Sequence, residues 1–232
     1  MRLDKYLSHA LGMSRKEVRK IVRSSQIKVN DKVMRDESFH IDETKDQIQF
    51  NDERIQFQEQ VYYMLNKPKG VVSATKDNVY PTVLTCLDDQ RNDLFPIGRL
   101  DVDTTGLLII SNDGELAHYL CSPKHHKDKL YLVHLLNDID DQQIAGLSKK
   151  IVYEEDHYRP GKVEVIDSKC IHLTIQEGKF HQVKRMIKVV GNEVVELSRI
   201  AFGGLFLDEN LGEGEYRELS VEELQLLKGK DN

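Results

Sequence analysis

The segment Gly98-Arg-Leu-Asp-Val-Asp-Thr-Thr-Gly-Leu-Leu-Ile-Ile-Ser-Asn-Asp-Gly114 constrains the fold of this chain more than any other stretch. Its polar half, bounded by Gly98 and Gly106, reads as a turn carrying Asp101 beside Arg99. Its apolar half, Leu107 to Ile110, reads as a buried strand, with Asn112-Asp113-Gly114 as the turn that closes it. A carboxylate held on a strand edge beside a guanidinium stays ionised and positioned, which a nucleophilic or basic Asp requires.

Three chemical readings fit this pattern. Asp101, Asp103, Thr105 and Gly106 match the first positions of a calcium loop, but Asn112 stands where a bidentate Glu is needed and Ile109 is apolar. Asp101-Val-Asp103-Thr104 also resembles the phosphoryl-transfer motif of haloacid-dehalogenase-like phosphatases. There the apolar strand precedes the motif, whereas here it follows, and no later Gly-Asp-x-x-x-Asp element is present to hold magnesium. A hairpin whose Asp and Thr residues merely cap turns is the plain reading of a lone Asp-rich turn. The rest of the chain has to choose.

At 232 residues and 39% hydrophobic content, the chain can hold one large domain or two small ones. No apolar run approaches membrane-spanning length, and Met1-Arg-Leu-Asp-Lys-Tyr lacks a signal-peptide apolar region, so a cytoplasmic protein with no membrane partner is expected. Cys86, Cys121 and Cys170 lie far apart and supply neither a disulfide framework nor a Cys-x-x-Cys zinc site. Cys121-Ser-Pro-Lys-His125-His126 reads as a solvated loop. No metal site and no cofactor are expected.

The formal net charge of -6 is unevenly spread. Residues 1–35 hold ten Lys/Arg against Asp4, Glu17 and Asp31, a balance of +7, while residues 36–60 hold eight acids against Lys45 and Arg54. Local patches decide an encounter with a polyanion, because salt screens charges beyond about 8 Å. Ser14-Arg-Lys-Glu17 fits a capping box. The helix that follows places Val18, Ile21 and Val22 on one face, with Arg15, Lys16, Arg19, Lys20 and Arg23 around the rest. Ile27 to Val33 alternates about Asn30-Asp31, the mark of a tight hairpin. A basic helix on a small hairpin suits phosphate-rich RNA. The expected RNA-binding residues here are Arg2, Ser14, Arg15, Lys16, Arg19, Lys20, Arg23 and Lys28.

The order Arg2-Leu-Asp-Lys-Tyr-Leu, Gly-Met-Ser-Arg-Lys-Glu-Val-Arg-Lys-Ile-Val, Ile-Lys-Val-Asn resembles the S-four domain, a small α/β RNA-binding fold, over residues 1 to about 50. Ser25 stands where many members carry Gly before the first hairpin strand.

Residues 51–60 read as a polar linker between domains at 1–55 and 61–230. Val61 to Leu65 reads as a strand leading into the turn Asn66-Lys-Pro-Lys-Gly70. Ser122 to Lys129 forms a basic loop before the strand Leu130 to Leu135, in which Tyr131 and Val133 share a face. Ile171 to Ile175 reads as a half-buried strand turning at Glu177-Gly178. A helix from about His181 to Val190 has Val183, Met186, Ile187 and Val190 at core spacing and ends at Gly191. Several strands with few helices suggest an α+β domain on a mainly antiparallel mixed β-sheet.

Asn66-Lys-Pro-Lys-Gly70, Gly98 to Gly106, Ser122-Pro-Lys-His-His126 with Tyr131-Leu-Val, and Glu177-Gly-Lys-Phe-His-Gln-Val-Lys-Arg-Met186 occur in the order found in the RsuA-type pseudouridine synthases. With the N-terminal module, the resemblance runs essentially end to end and displaces the other readings of Asp101. It implies an isomerase that breaks the N-glycosidic bond of a uridine, turns the base and rejoins it through carbon 5. That chemistry needs no redox partner, metal or ATP. The resemblance makes Asp101 the catalytic nucleophile, puts Tyr131 against the uracil, and gives Lys184 the task of keeping Asp101 ionised. Arg99 would contact the RNA backbone or fill the gap left by the flipped nucleotide. Taken singly, Tyr131 reads as a strand tyrosine and Lys184 as a solvated helix lysine. His181, His125 and His126 are given no catalytic role, and Asp103 is given a turn-supporting one. The Asp-x-Asp-Thr-Thr-Gly version is most similar to the small-subunit ribosomal RNA branch, and a monomer is expected. A large-subunit synthase, or a non-catalytic ribosome-assembly factor on the same scaffold, stays as an alternative.

Overall fold

The computed structural model describes residues 1–43, 45–55, 60–89 and 91–228. The chain divides into two compact units, Met1–Gln60 with Asp88–Asp93, and Val61–Leu87 with Leu94–Asn232.

In the first unit, helices α1 (Leu3–Ala10) and α2 (Arg15–Arg23) precede an antiparallel sheet of β1 (Ile27–Val29), β2 (Lys32–Val33), β3 (Ile48–Phe50) and β4 (Glu53–Ile55), ordered β2-β1-β3-β4. The capping box forms: the Ser14 amide donates to Glu17 at 2.9 Å and the Glu17 amide donates back to Ser14 Oγ. Val18 and Val22 join Leu3, Leu7, Ile27 and Ile48 in one buried cluster. Asn30 and Asp31 both take positive φ, as a hairpin turn matched to strand twist requires.

The expected linker at 51–60 is corrected by β4. Asn51 and Asp52, at φ 51° and 69°, make a second Asn-Asp hairpin turn, and Ile55 returns opposite Ile48. The polar composition of β4, a strand with two exposed residues, conceals it from a hydrophobicity pattern. Residues 56–59 of that expected linker lie outside the described residues.

The second unit runs β5 (Tyr62–Lys67), β6 (Phe95–Ile97), β7 (Thr105–Ser111), α3 (Gly114–Cys121), β8 (Lys129–Leu135) and α4 (Asp141–Leu147). The hairpin β9 (Ile151–Tyr153) and β10 (Asp156–Tyr158) follows, then β11 (Lys162–Asp167), β12 (Cys170–Ile175), α5 (Gln182–Val189), β13 (Val194–Phe202), β14 (Leu205–Phe206), β15 (Tyr216–Glu218) and α6 (Val221–Lys228). The large sheet is ordered β11-β12-β8-β13-β7-β5-β15, with β14 on β13 and β6 on β7. Only the β13–β7 pairing is parallel among the described strands, so the mainly antiparallel mixed sheet expected from the sequence is what forms.

Every residue of β7 is buried because the sheet is covered on both faces. Leu108 and Ile110 pack into the cluster that holds Val183, Met186 and Ile187 of α5. Leu107 and Ile109 pack into the opposite cluster with Leu116 and Leu120 of α3 and Leu227 of α6. A strand covered on both faces reads as a continuous apolar run, and each such side chain contributes roughly 1.5–3 kcal/mol by burial. The expected closing turn at Asn112-Asp113-Gly114 is instead a helix start: the Leu116 amide donates to the Asp113 carboxylate, capping α3.

Gly106 decides how closely β7 and β13 approach. Its φ is +99°, and a Cβ there would lie 2.3 Å from the Arg199 carbonyl oxygen and 2.8 Å from the Arg199 nitrogen. Only glycine fits. Arg199 is thereby set opposite Gly106 on one side and Tyr131 of β8 on the other.

Candidate active site

Asp101 lies in the loop between β6 and β7, and hydrogen bonds from the segment after β5 fix that loop. The Ser73 hydroxyl donates to the Leu100 carbonyl and accepts from the Leu100 amide, both at 3.0 Å. The Gly70 amide donates to Val102 at 2.8 Å. The Lys67 ammonium, fully buried, donates to the Thr104 carbonyl at 2.8 Å and to Pro68 at 3.0 Å. Burial brings the Lys67 ammonium down to about 8, against the opposing charges of Asp103 and Asp101. The turn Asn66 to Gly70 is therefore the loop's clamp.

Lys184 projects from α5 to this loop. Its Nζ stands 3.2 Å from Asp101 Oδ2 and 2.6 Å from Asp103 Oδ1. The side chains of Asp101 and Lys184 are 26% and 25% exposed, so the pair is neither sealed nor fully hydrated. Burial would raise the Asp103 carboxyl, but the hydrogen bond and charge of Lys184 outweigh it and hold the group below its usual range. Asp103 is thus more than turn support, since it shares the cation of Asp101. Sequence spacing does not show which carboxylate faces a helix 80 residues on.

His181 precedes the first turn of α5 in a left-handed conformation, φ 52°, and its Nε2 lies 3.7 Å from Asp101 Oδ1. Its ring stacks on Phe180, which is exposed. His125 packs on the Tyr119 ring and His126 contacts the Arg159 guanidinium. Tyr131, buried in β8, borders a small cavity of about 50 Å³ together with Asp101, Arg99, His181 and Leu197. Asp101 also borders a cleft of about 480 Å³ with Asp103, Phe180, His181 and Lys184. Burial pushes the Tyr131 phenol above its ordinary value, and the nearby Arg199 charge pulls the other way. The phenol is neutral at physiological pH. The geometry brings together a carboxylate, its cation and a neutral phenol, a set suited to nucleophilic attack followed by proton transfer.

The sequence reading missed Lys67, Ser73 and Arg199. Arg199 falls on the same strand parity as the buried Leu197, a signal that it points inward.

The expected RNA-binding residues of the first unit separate into two groups. Arg2 is engaged by Asp4, its Nε and Nη2 donating at 3.0 and 2.9 Å. Lys28 pairs with Asp52, and Arg19 and Arg23 share Glu37. Ser14 is committed to the capping box. Arg15, Lys16 and Lys20 are exposed and stand in no ion pair among the described residues. Arg99, in the second unit, is exposed beside Asp101 and likewise unpaired among the described residues. No group of three or more His, Cys, Asp or Glu among the described residues could hold a metal ion, and no helix among them is long and apolar enough to cross a membrane.

Comparison with known proteins gives a consistent picture. The family model for RNA pseudouridylate synthase matches residues 61–188, and that for the S4 domain matches residues 1–48. The chain is 45% identical to YtzG of Bacillus subtilis (strain 168), an uncharacterized RNA pseudouridine synthase, over 98% of both chains. It is 41% identical to the ribosomal small subunit pseudouridine synthase A of Haemophilus influenzae, covering 98% of this chain and 99% of that one. A solved pseudouridylate synthase structure superposes with a TM-score of 0.70 at 40% identity, covering 98% of this chain and 99% of the other.

Proposed function

The chain belongs to the RNA pseudouridylate synthase family, and from that premise we propose that it converts a specific uridine of small-subunit ribosomal RNA to pseudouridine with Asp101 as the nucleophile. Relatives named ribosomal small subunit pseudouridine synthase A, 40–41% identical over nearly the whole length, favour that substrate. The observation that carries the assignment of roles is the placement of Lys184 Nζ 3.2 Å from Asp101, in a cleft whose neighbouring cavity Tyr131 borders.

In this reading the uridine is extruded from its stack, at a cost of a few kcal/mol, so that its base meets Tyr131. Lys184 pairs with the Asp101 carboxylate at 3.2 Å and holds it in position in a partly dry cleft. Asp101 attacks carbon 1′ of the ribose as its bond to uracil N1 breaks; the released uracil anion turns, and its carbon 5 attacks carbon 1′, displacing the Asp101 carboxylate. The carbon-5 proton leaves last, to the released Asp101 carboxylate, and N1 takes up a proton, while the neutral Tyr131 phenol packs against the base. The S4 domain supplies RNA affinity through Arg15, Lys16 and Lys20. The enzyme works as a cytoplasmic monomer.

Tritium release from 5-tritiated uridine in a small-subunit ribosomal RNA transcript tests this reading, and release at a single site is expected. Release only from large-subunit RNA would replace the substrate. No release from any RNA, with binding intact, would make the chain a non-catalytic RNA-binding factor.

A further inference from the structure

Tyr131 and Arg99 border a second cavity, of about 370 Å³, whose lining does not include Asp101. Lys129 and Arg199 also line it, and Phe202 and Leu120 supply an apolar part of its wall. Both cations are unusual. Arg199 is 2% exposed, donates through Nε to the Leu107 carbonyl at 2.8 Å and lies over the Phe202 ring. Its Nη2 is buried and has no hydrogen-bond partner among the described residues. Lys129 donates to the Lys127 carbonyl at 3.0 Å, and its ammonium also lies over Phe202. Burial, and then the charge of Arg199, brings the Lys129 ammonium down to about 8.

Neither cation stands in an ion pair among the described residues. Glu177 reaches the same cavity but is taken up by Arg159, whose amide donates to it at 2.9 Å and whose guanidinium lies 3.9 Å away. A buried and a half-buried cation on one cavity wall without a counter-ion are unfavourable, and an arriving anion relieves both. A guanidinium and an ammonium lining one cavity suit phosphate oxygens.

We propose that this cavity binds one phosphate of the substrate RNA, on the nucleotide adjoining the uridine that enters the Asp101 cleft, through Lys129 and Arg199. The shared Tyr131 and Arg99 wall puts the two cavities side by side, as consecutive nucleotides of one strand need, and Phe202 offers the adjoining nucleotide an apolar surface. The proposal rests on the reading of the chain as a uridine-modifying enzyme.

The test is a scan of RNA oligonucleotides in which single phosphates flanking the modified uridine are replaced by neutral methylphosphonates, with binding read by fluorescence anisotropy. Wild-type protein should lose roughly tenfold in affinity at one flanking linkage, the value of one charge-assisted hydrogen bond. Lys129→Met should bind all-phosphate RNA roughly tenfold more weakly, yet lose nothing further at that linkage, while Lys129→Arg should behave as wild type. The log-affinity versus log-salt slope of Lys129→Met should shrink by about 0.7–0.9. Inorganic phosphate should compete with RNA for wild type and not for Lys129→Met. Equal binding across all linkages, multiplying losses in the variant, or phosphate that binds the RNA-loaded protein would each overturn the proposal; the last would mark a free-anion site. If Lys129→Met does not fold, the wild-type scan alone decides. Because anisotropy needs no turnover, failure of tritium release on every RNA is distinguishable from failure of the phosphate site.

Discussion

Lys184 stands closer to Asp103, at 2.6 Å, than to Asp101, at 3.2 Å, so one ammonium serves two carboxylates of the same loop. Their roles separate by substitution. Asp101→Asn should lower single-turnover rate at least a hundredfold while leaving RNA affinity nearly unchanged, because an amide keeps the shape but not the nucleophilicity. Asp103→Asn leaves Lys184 wholly to Asp101 and should cost less than about tenfold in rate. Equal loss at both positions would mean that the two carboxylates act as a chemical pair.

Removing the shared cation should cost rate more than affinity. Without Lys184, Asp101 and Asp103 lose the ammonium that stands 3.2 and 2.6 Å from them, and two carboxylates of one loop are left without their cation. Lys184→Met should lower the single-turnover rate roughly a hundredfold with RNA affinity changed by less than about threefold, and Lys184→Arg should recover most of the rate. A full rate in Lys184→Met would show that the cation does not serve Asp101.

The buried clamp Lys67 has a signature in stability. Its folded pKa of about 8 is depressed, chiefly by burial, from an ordinary lysine value near 10.4. Between those values the unfolded chain holds a proton that the folded chain has released, so stability rises with pH across that window. Below pH 8 both states are protonated and the burial penalty is constant. For Lys67 the gain from pH 8 to 9 is about 1 kcal/mol. Lys129 acts in the same sense, whereas the thiols of Cys86, Cys121 and Cys170, all raised by burial, act oppositely above about pH 9. The comparison is therefore between proteins: urea midpoints of wild type should rise more steeply over pH 8–9 than those of Lys67→Met. Parallel curves would sink the assignment.

Much of this was legible in the chain, for a physical reason. Leu107 to Ile110 declared a doubly covered strand by its unbroken apolar run, and Ser14-Arg-Lys-Glu17 declared a helix start because capping chemistry is local. Asp101, Tyr131 and Lys184 were legible through motif order, since their spacing alone does not bring them together. Lys67 and Arg199 were not legible. A buried cation is defined by the distant backbone it satisfies, Thr104 for one and Leu107 for the other, and that pairing is a property of the sheet. The same holds for β4, whose partner is β3 rather than a hydrophobic pattern of its own. The helices α3, α4 and α6 also went unread, each being only seven or eight residues long, about two turns, too short for a helical period to stand out.

Ser25 supplies a backbone test in the first unit. Its φ of 64° is left-handed, where a side chain costs about 1 kcal/mol and glycine costs little. Its hydroxyl accepts from Arg35 Nε at 2.8 Å, an exposed contact that offsets little of that cost. Ser25→Gly should stabilise the unit by about 0.5–1 kcal/mol, read as a higher melting temperature, despite the greater freedom of glycine in the unfolded chain. A lower melting temperature would show that the Arg35 contact outweighs the strain.

The charges of the first unit should not contribute equally to RNA binding. Arg2 is committed to Asp4, Lys28 to Asp52, and Arg19 and Arg23 to Glu37, whereas Arg15, Lys16 and Lys20 are exposed and unpaired among the described residues. A cation already paired releases fewer RNA counterions, because its own carboxylate competes with the phosphate. Every phosphate that the protein no longer neutralises lowers the log-affinity versus log-salt slope by about 0.7–0.9. Reversing Arg15, Lys16 and Lys20 to Glu should therefore shrink the slope by about two, and Arg2→Gln with Lys28→Gln by much less. Neither set touches the buried Val18 and Val22, and acids at 15 and 16 suit the positive end of the α2 dipole, so both proteins should fold. Anisotropy titrations of ribosomal RNA over a salt series decide it. Equal slopes for the two variants would mean that the ion pairs open on the RNA and that the whole basic face grips it.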